Sequence, residues 1–123
     1  MYADGTGVEK DQREAVRWYR KATGQGDVNA QSNLGVLYLY GKGVERNEAE
    51  AVRLFQKAAE KGHSDAQFNL GTMYSLVTGV EKHEREAFNW FSNSAEQGNP
   101  LAQLKLGQAY SKGTGVELSL IHI

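Results

Sequence analysis

The sequence repeats itself every 36 residues, and this period restricts the fold more than any other feature. One phase of the repeat holds a tyrosine in each copy, at Tyr2, Tyr38, Tyr74 and Tyr110. Another holds glycine followed by valine, at Gly7, Gly43, Gly79 and Gly115. A strict period of this length is typical of solenoids, in which a small unit buries its apolar face only by stacking on its neighbours.

Within each period the apolar residues have the spacing of an amphipathic helix. Ala51, Leu54, Phe55 and Ala58 lie at i, i+3, i+4 and i+7, which places them on one helix face. The pattern predicts six helices, over residues 11–24, 28–40, 47–60, 64–76, 83–96 and 100–111. The segments that contain the repeated Gly-Val are predicted to link one helix pair to the next.

Signals for helix ends agree with these bounds. Capping boxes are predicted where a polar residue precedes glutamate by three positions, at Asp11, Asn47 and, as a weaker cap, His83. Left-handed C-terminal caps are predicted at Gly26, Gly62 and Gly98. Asn99 followed by Pro100 is typical of an N-cap and a first helical residue.

Three further phases predict how the helices pack. Gly35, Gly71 and Gly107 stand inside helices, where glycine costs about 1 kcal/mol against alanine, so we expect close backbone approach by a neighbouring helix. Trp18 and Trp90 share the phase of Leu54 and are predicted to lie in the core. Glutamines of the apolar stripe are expected to hydrogen-bond a neighbouring loop, since an unpaired buried amide costs about 1–3 kcal/mol; they are Gln31, Gln67 and Gln103.

The predicted fold is therefore all-α, an α/α superhelix of about three helix-turn-helix repeats. The repeats occupy residues 2–37, 38–73 and 74–109, with a stub at 110–117, so that residues 1–117 form one domain. Residues 118–123 leave the pattern and are interpreted as a non-native tail, with a native apolar strand as the alternative. Met1 has the phase of a mid-helix residue, so we expect further repeats upstream and self-association through exposed end helices.

The consensus of the copies, AQxxLGxxYxxGxGVxxxxxEAxxxxxKAAxxG, resembles the Sel-one-like repeat, a longer relative of the tetratricopeptide repeat. Residues 30–62 carry it almost completely, and 66–98 and 102–116 carry it with changes. Val77 replaces the first glycine of the third loop, which predicts a different conformation there. The resemblance implies a right-handed solenoid that acts as an adaptor in assembling protein complexes.

Composition limits the classes of partner. The chain has 123 residues, a net charge of -1 and no cysteine, which gives no electrostatic reason to expect nucleic acid and excludes thiolate metal sites. No apolar run is long enough to insert into a membrane. We therefore expect a protein or peptide partner and no small-molecule substrate, while the compartment remains undetermined.

A search for catalytic and metal-binding motifs finds none. The three histidines, His63, His83 and His122, form no HExxH pair. Lys42 follows a glycine of the loop, but Gly43 comes next where a phosphate-binding loop needs serine or threonine. No serine precedes lysine by three residues, as serine acylation in penicillin-binding proteins needs. We predict no catalytic residue, no metal and no cofactor.

In related solenoids the first helix of each pair lines the concave surface, and this implies where a partner binds. The residues on that face outside the core stripe are Asn33, Val36, Tyr40, Asn69, Thr72, Lys105 and Gln108. Asn33 and Asn69 would hydrogen-bond the backbone of an extended peptide, and Lys105 would attract a carboxylate. A solvated polar face is the alternative.

Three functions fit the sequence. The first is a scaffold that binds proteins on this face. The second is the recognition module of a larger enzyme whose catalytic domain lies elsewhere. The third is a structural spacer, which would bind no ligand.

Overall fold

The computed structural model describes residues 5–76 and 81–113, and the side chains of 9–76 and 83–113. All regular structure in these ranges is helical, which confirms the predicted all-α class. The helices are α1 (Gly5–Gly24), α2 (Val28–Tyr40), α3 (Glu48–Glu60), α4 (Ser64–Ser75), α5 (Glu81–Glu96) and α6 (Pro100–Ser111). The chain divides into two compact units, Met1–Lys61 with α1 to α3 and Gly62–Ile123 with α4 to α6.

Helix α1 begins at Gly5, well before the predicted start at residue 11. Asp11 therefore lies inside the helix, and the predicted cap there is wrong. The turn before α3 contains Gly43, whose backbone packs closely on α1. A Cβ at Gly43 would lie 2.4 Å from the carbonyl carbon of Gln12.

The start of α5 also differs from the prediction. The helix begins at Glu81, so His83 lies in its first turn and is not the predicted cap. The imidazole instead faces Tyr74, with 5.6 Å between the ring centroids.

Several predictions fall outside the described residues. They are those for Met1, Tyr2, Val77, Gly79, Gly115, His122 and the segment 118–123.

The other predicted helix ends are confirmed. The Asn47 side chain accepts from the Glu50 amide at 3.0 Å, and Asn99 accepts from the amides of residues 101 and 102 with Pro100 at the first helical turn. Gly26, Gly62 and Gly98 have φ of +90°, +90° and +94°. These are left-handed conformations that glycine adopts without a steric penalty, so each glycine ends its helix.

The core of the first unit is built where α1, α2 and α3 meet. Val16, Leu34 and Leu54 are buried together. Leu54 is only 1% exposed, whereas Trp18 at the same phase is 56% exposed, so the prediction of a core role is wrong for Trp18. Val16 and Leu34 pack with Leu54 in this cluster, whereas the Trp18 ring lies at the surface beside Arg17 and Lys21. Trp90 is half-buried.

In the second unit α4 and α5 pack through aromatic rings and a set of polar bonds. The rings of Phe68 and Phe91 have centroids 5.6 Å apart. The fully buried Ser94 hydroxyl donates to the Ser64 carbonyl at 2.8 Å. Because this bond joins a side chain of α5 to the backbone of α4, it fixes the position of α5 along α4 as well as the distance between the two helices.

The mid-helix glycines accommodate rings rather than backbone. A Cβ on Gly35 would lie 2.7 Å from the Phe55 ring, and one on Gly71 would lie 2.9 Å from the Phe91 ring. The expectation of close approach is met at these two positions, but the approaching group is a side chain. At Gly107 a Cβ would have no described heavy atom within 4 Å.

The stripe glutamines behave differently in each copy. Gln67 accepts at 2.7 Å from the Gln97 amide, in the loop after α5, as predicted. Gln103 is exposed and donates to a backbone carbonyl of α5. Gln31 is buried, but its Oε1 has no partner among the described residues. The exposed Lys61 stands where Gln97, the donor to Gln67, stands in the next copy.

Candidate partner-binding surface

Helix α2 presents three of the predicted residues along one face. Asn33, Val36 and Tyr40 follow one another at i, i+3 and i+7, a spacing that keeps them on the same side of a helix. Asn33 is exposed, Val36 is half-buried and Tyr40 is 64% exposed. The Lys42 ammonium lies 5.8 Å from the centre of the Tyr40 ring. The structure therefore brings an amide, an aliphatic group and an aromatic ring together on the surface of α2.

On α4 the predicted face contains Asn69 and Thr72. They lie one turn apart and both are half-buried. The Thr72 hydroxyl donates to the Phe68 carbonyl one turn back at 3.0 Å. That hydrogen is used within the helix, so Thr72 offers a partner its methyl group and an oxygen acceptor.

On α6 the predicted residues are Lys105 and Gln108, also one turn apart. Both are exposed. The two side chains give this helix a positive charge and an amide on one face, which could together bind a carboxylate.

Each of these faces is oriented by what its helix buries on the other side. In α2 the buried residues include Ala30 and Leu34, and in α4 they include Ala66 and Leu70. N-caps that were not predicted from the sequence fix where these helices begin. Asp27 accepts from the amide of residue 30 at 2.9 Å, and Nδ1 of His63 accepts from the amide of residue 66 at 3.1 Å.

The pKa shifts of Glu50 and Tyr74 come from contacts between residues of the helices. Hydrogen bonding from Arg53 lowers the pKa of the Glu50 carboxyl, despite partial burial that acts in the opposite direction. Burial raises the pKa of Tyr74, and the nearby Glu86 carboxylate raises it further. These partners stabilise helices rather than form a paired acid and base.

Metal binding and membrane insertion find no support in the described part of the chain. No group of three potential metal-ligating side chains occurs within it. None of its helices is both long and apolar enough to cross a bilayer.

A second surface was missed by the sequence analysis. The exposed Trp18 ring lies 5.0 Å from the Arg17 guanidinium and 4.9 Å from the Lys21 ammonium, distances at which a cation attracts an aromatic face. The signal in the sequence was the pair of basic residues at i−1 and i+3 of the tryptophan. The repeat phase places Trp18 in the core and so gives no indication of this surface.

Comparisons with known proteins agree with this architecture. The chain is similar to a Sel1 repeat protein from Oxalobacter formigenes, with 40% identity and a TM-score of 0.78 over 94% of this chain and 47% of that one. It is also similar to c5321, a protective antigen of uropathogenic Escherichia coli strains that displays an SLR fold, with 43% identity and a TM-score of 0.76. That match covers 84% of this chain and 22% of the antigen, so this chain spans less than half of either relative. A search of curated proteins gives no significant match.

The family comparison covers nearly the whole chain. The Sel1 repeat model matches residues 1–27, 28–63, 64–99 and 100–119. Proteins built from this repeat generally mediate protein–protein interactions, and the repeat is typically a non-catalytic scaffold. The helical repeats, their sequence and their likeness to solved structures lead to one conclusion: the chain belongs to the Sel1 repeat family.

Proposed function

We propose that the chain is an adaptor that binds an extended segment of a partner protein on the exposed faces of α2, α4 and α6. This is the face that the family resemblance assigns to the concave side. The observation that carries the proposal is Tyr40, which is 64% exposed on the same helix face as Asn33 and Val36. Tyrosine is one of the residues enriched at the centres of protein interfaces.

Each binding residue would have a distinct role. The amides of Asn33 and Asn69 each carry donors and an acceptor, which match the alternating carbonyl and N–H groups of an extended backbone. Tyr40 would pack on an apolar side chain of the ligand. Lys105 would pair with a carboxylate, from an acidic side chain or a chain terminus.

We infer that the chain has no catalytic activity of its own and uses no metal or cofactor. Support comes from the histidines, since His63 caps α4 and His83 packs against Tyr74. The absence of strong charge in the sequence supports a protein partner over nucleic acid. A fused enzyme that uses this chain for recognition would use the same surface.

The proposal is tested by selecting peptides from a random display library on the 123-residue chain. For the peptides that are enriched, Asn69→Ala should weaken binding about tenfold, the effect of losing one or two hydrogen bonds at a partly buried site. The matched control is Asn93→Ala, an exposed asparagine on α5, which should bind as the wild type does.

Thermal melting of both variants separates binding from folding. The proposal requires Asn69→Ala to melt near the wild-type temperature. A sharp fall in melting temperature with binding retained would show that Asn69 is structural and that the face is wrongly assigned. A library that yields no specific peptide would favour the spacer function instead.

A further inference from the structure

Three cations of the first unit gather around a single carboxylate. The Glu50 carboxylate accepts two hydrogen bonds from the Arg53 guanidinium, one of them at 2.9 Å. Besides this bonding, the positive charges of Lys57 and Arg20 also lower the pKa of Glu50, so both side chains lie near it. Three positive charges therefore face one negative charge on the surface that α1 and α3 share.

Tyr38 of α2 positions one of these cations. Its hydroxyl accepts a hydrogen bond from Nη2 of Arg20 at 2.9 Å, and the guanidinium carbon lies 6.0 Å from the centre of the tyrosine ring. A bond to one hydroxyl uses one of the five N–H donors of a guanidinium. Arg20 is thus held at the surface by a neutral group that leaves its charge in place.

Two of the three cations are not neutralised by direct contact. Neither Arg20 nor Lys57 has a carboxylate within ion-pair distance in the described part of the chain. Both residues are exposed, and the nearby Glu50 carboxylate is already bound by Arg53. An acidic group from outside the chain would therefore reach both charges without first breaking an ion pair.

The repeat does not need these cations in order to fold. In the second unit Asn89 and Asn93 stand at the phases of Arg53 and Lys57. Helix α5 nevertheless packs on α4, through aromatic rings and buried polar bonds. The excess of positive charge is therefore a property of the first unit, and a binding role accounts for it.

We propose that Arg20, Tyr38, Arg53 and Lys57, together called the basic cluster, bind an acidic segment of a partner protein. Carboxylates of the segment accept hydrogen bonds from Arg20 and Lys57, while Arg53 remains on Glu50. Arginine suits this role because its guanidinium presents parallel N–H groups that match the two oxygens of a carboxylate. The basic cluster shares no residue with the face proposed above for an extended segment, so loss of one surface leaves the other intact.

The charge of the surrounding unit favours a short acidic segment over nucleic acid. Residues 1–61 contain ten lysines and arginines and nine aspartates and glutamates. A nucleic acid carries one phosphate per nucleotide and would lie against many of these acids. A short acidic segment places its carboxylates on the basic cluster alone, where three cations face one carboxylate.

The proposal is tested by fluorescence anisotropy, with a labelled peptide of eight glutamates titrated with the 123-residue chain at low salt. Arg20→Gln and Lys57→Gln each remove one exposed cation and should weaken binding about twofold to fivefold, the range for one exposed ion pair. Glu50→Gln removes the competing carboxylate and frees Arg53, so it should tighten binding by a similar factor. Binding should weaken as salt is added, because exposed charges are screened.

Two controls separate binding from general charge and from folding. Lys112→Gln removes the same charge from an exposed position of the second unit and should bind as the wild type does. A peptide of eight glutamines has the same length without charge and should not bind. Because Glu50→Gln is expected to lower stability slightly and still to bind more tightly, a folding defect cannot imitate that result.

Four results would overturn the proposal. The first is a glutamate peptide that does not bind at low salt, and the second is an equal loss of binding in Arg20→Gln and Lys112→Gln. The third is weaker binding by Glu50→Gln. The fourth is an oligonucleotide of eight thymidines that binds more tightly than the peptide and depends on Arg20 and Lys57, which would assign the basic cluster to nucleic acid.

Discussion

The ring of Phe55 occupies the space that any side chain at Gly35 would need, with Cε1 only 2.7 Å from where a Cβ would stand. Phe55 is fully buried, so the ring has no room to withdraw. This relationship explains why a helix tolerates glycine at its centre. The residue with the weakest helix propensity after proline is the one that lets a neighbouring helix bury a phenylalanine.

We expect Gly35→Ala to destabilise the fold although alanine favours helices. Overpacking costs about 1–3 kcal/mol, and the gain in helix propensity returns at most about 1 kcal/mol. Chemical denaturation should therefore show a net loss of up to about 2 kcal/mol. Gly107→Ala, where a Cβ would meet no described heavy atom within 4 Å, is the control and should instead stabilise. An equal gain in both variants would mean that the ring does not fill the groove.

Trp18 and Leu54 share a repeat phase but should differ in energetic importance. Leu54→Ala removes a fully buried side chain and should cost about 2–5 kcal/mol. Trp18→Ala should cost less than about 1 kcal/mol, because its ring is more than half exposed. Acrylamide quenching offers a second readout, since the emission of Trp18 in a Trp90→Phe variant should be readily quenched. Strong protection of Trp18 from acrylamide would contradict the exposed position of its ring.

The repeat phase predicted most of the fold and failed at two positions of α1. It correctly placed α2 and α6 to the residue, and the start of α6 was readable because an asparagine N-cap followed by proline acts locally. It failed for Asp11 and Trp18, whose counterparts Asn47 and Leu54 depend on contacts with the preceding helix pair. The phase alone therefore does not decide burial or capping, because both depend on the contacts that each helix makes.

The candidate surface could be predicted only as a set of helix positions. The phase indicated that Asn33 and Tyr40 lie outside the core, and they are exposed in the structure. It gave no indication that the Thr72 hydroxyl bonds to its own helix, since that depends on a side-chain rotamer. Which of these residues contact a partner depends on the chemistry of the ligand, and this chain alone does not encode it.

The cap of α3 should be energetically important, and the residue at the same phase in α1 should not. Asn47→Ala removes the acceptor of the Glu50 amide and should cost about 1 kcal/mol. Asp11→Ala changes a residue inside a helix and should alter stability by less than about 0.5 kcal/mol. Urea denaturation of both variants provides the comparison. A loss at Asp11 as large as that at Asn47 would show that α1 begins with a cap after all.

Glu50 should make stability depend on pH in the acid range. Because the bond from Arg53 lowers its folded-state pKa, its contribution is fully present above the unfolded value of about 4.5 and is lost as the pH falls through the folded value. Glu50→Gln should therefore be less stable than wild type at neutral pH, by under about 1 kcal/mol for this partly exposed pair. The difference should shrink on acidification.

A titration of the carboxyl carbons by nuclear magnetic resonance checks the origin of this effect. In Arg53→Met the pKa of Glu50 should return toward its ordinary value, because the largest cause of the shift is the Arg53 hydrogen bond. An unchanged pKa would assign the shift to other charges.

The central claim, that the exposed faces of α2, α4 and α6 bind a partner, is tested most directly by a chemical-shift titration. A library-selected peptide is added to the isotope-labelled chain, and perturbed resonances are assigned to residues. We predict that the largest changes occur at the side-chain amides of Asn33 and Asn69 and at the backbone around Tyr40. Changes confined to α1, α3 and α5, with these signals unmoved, would contradict the account.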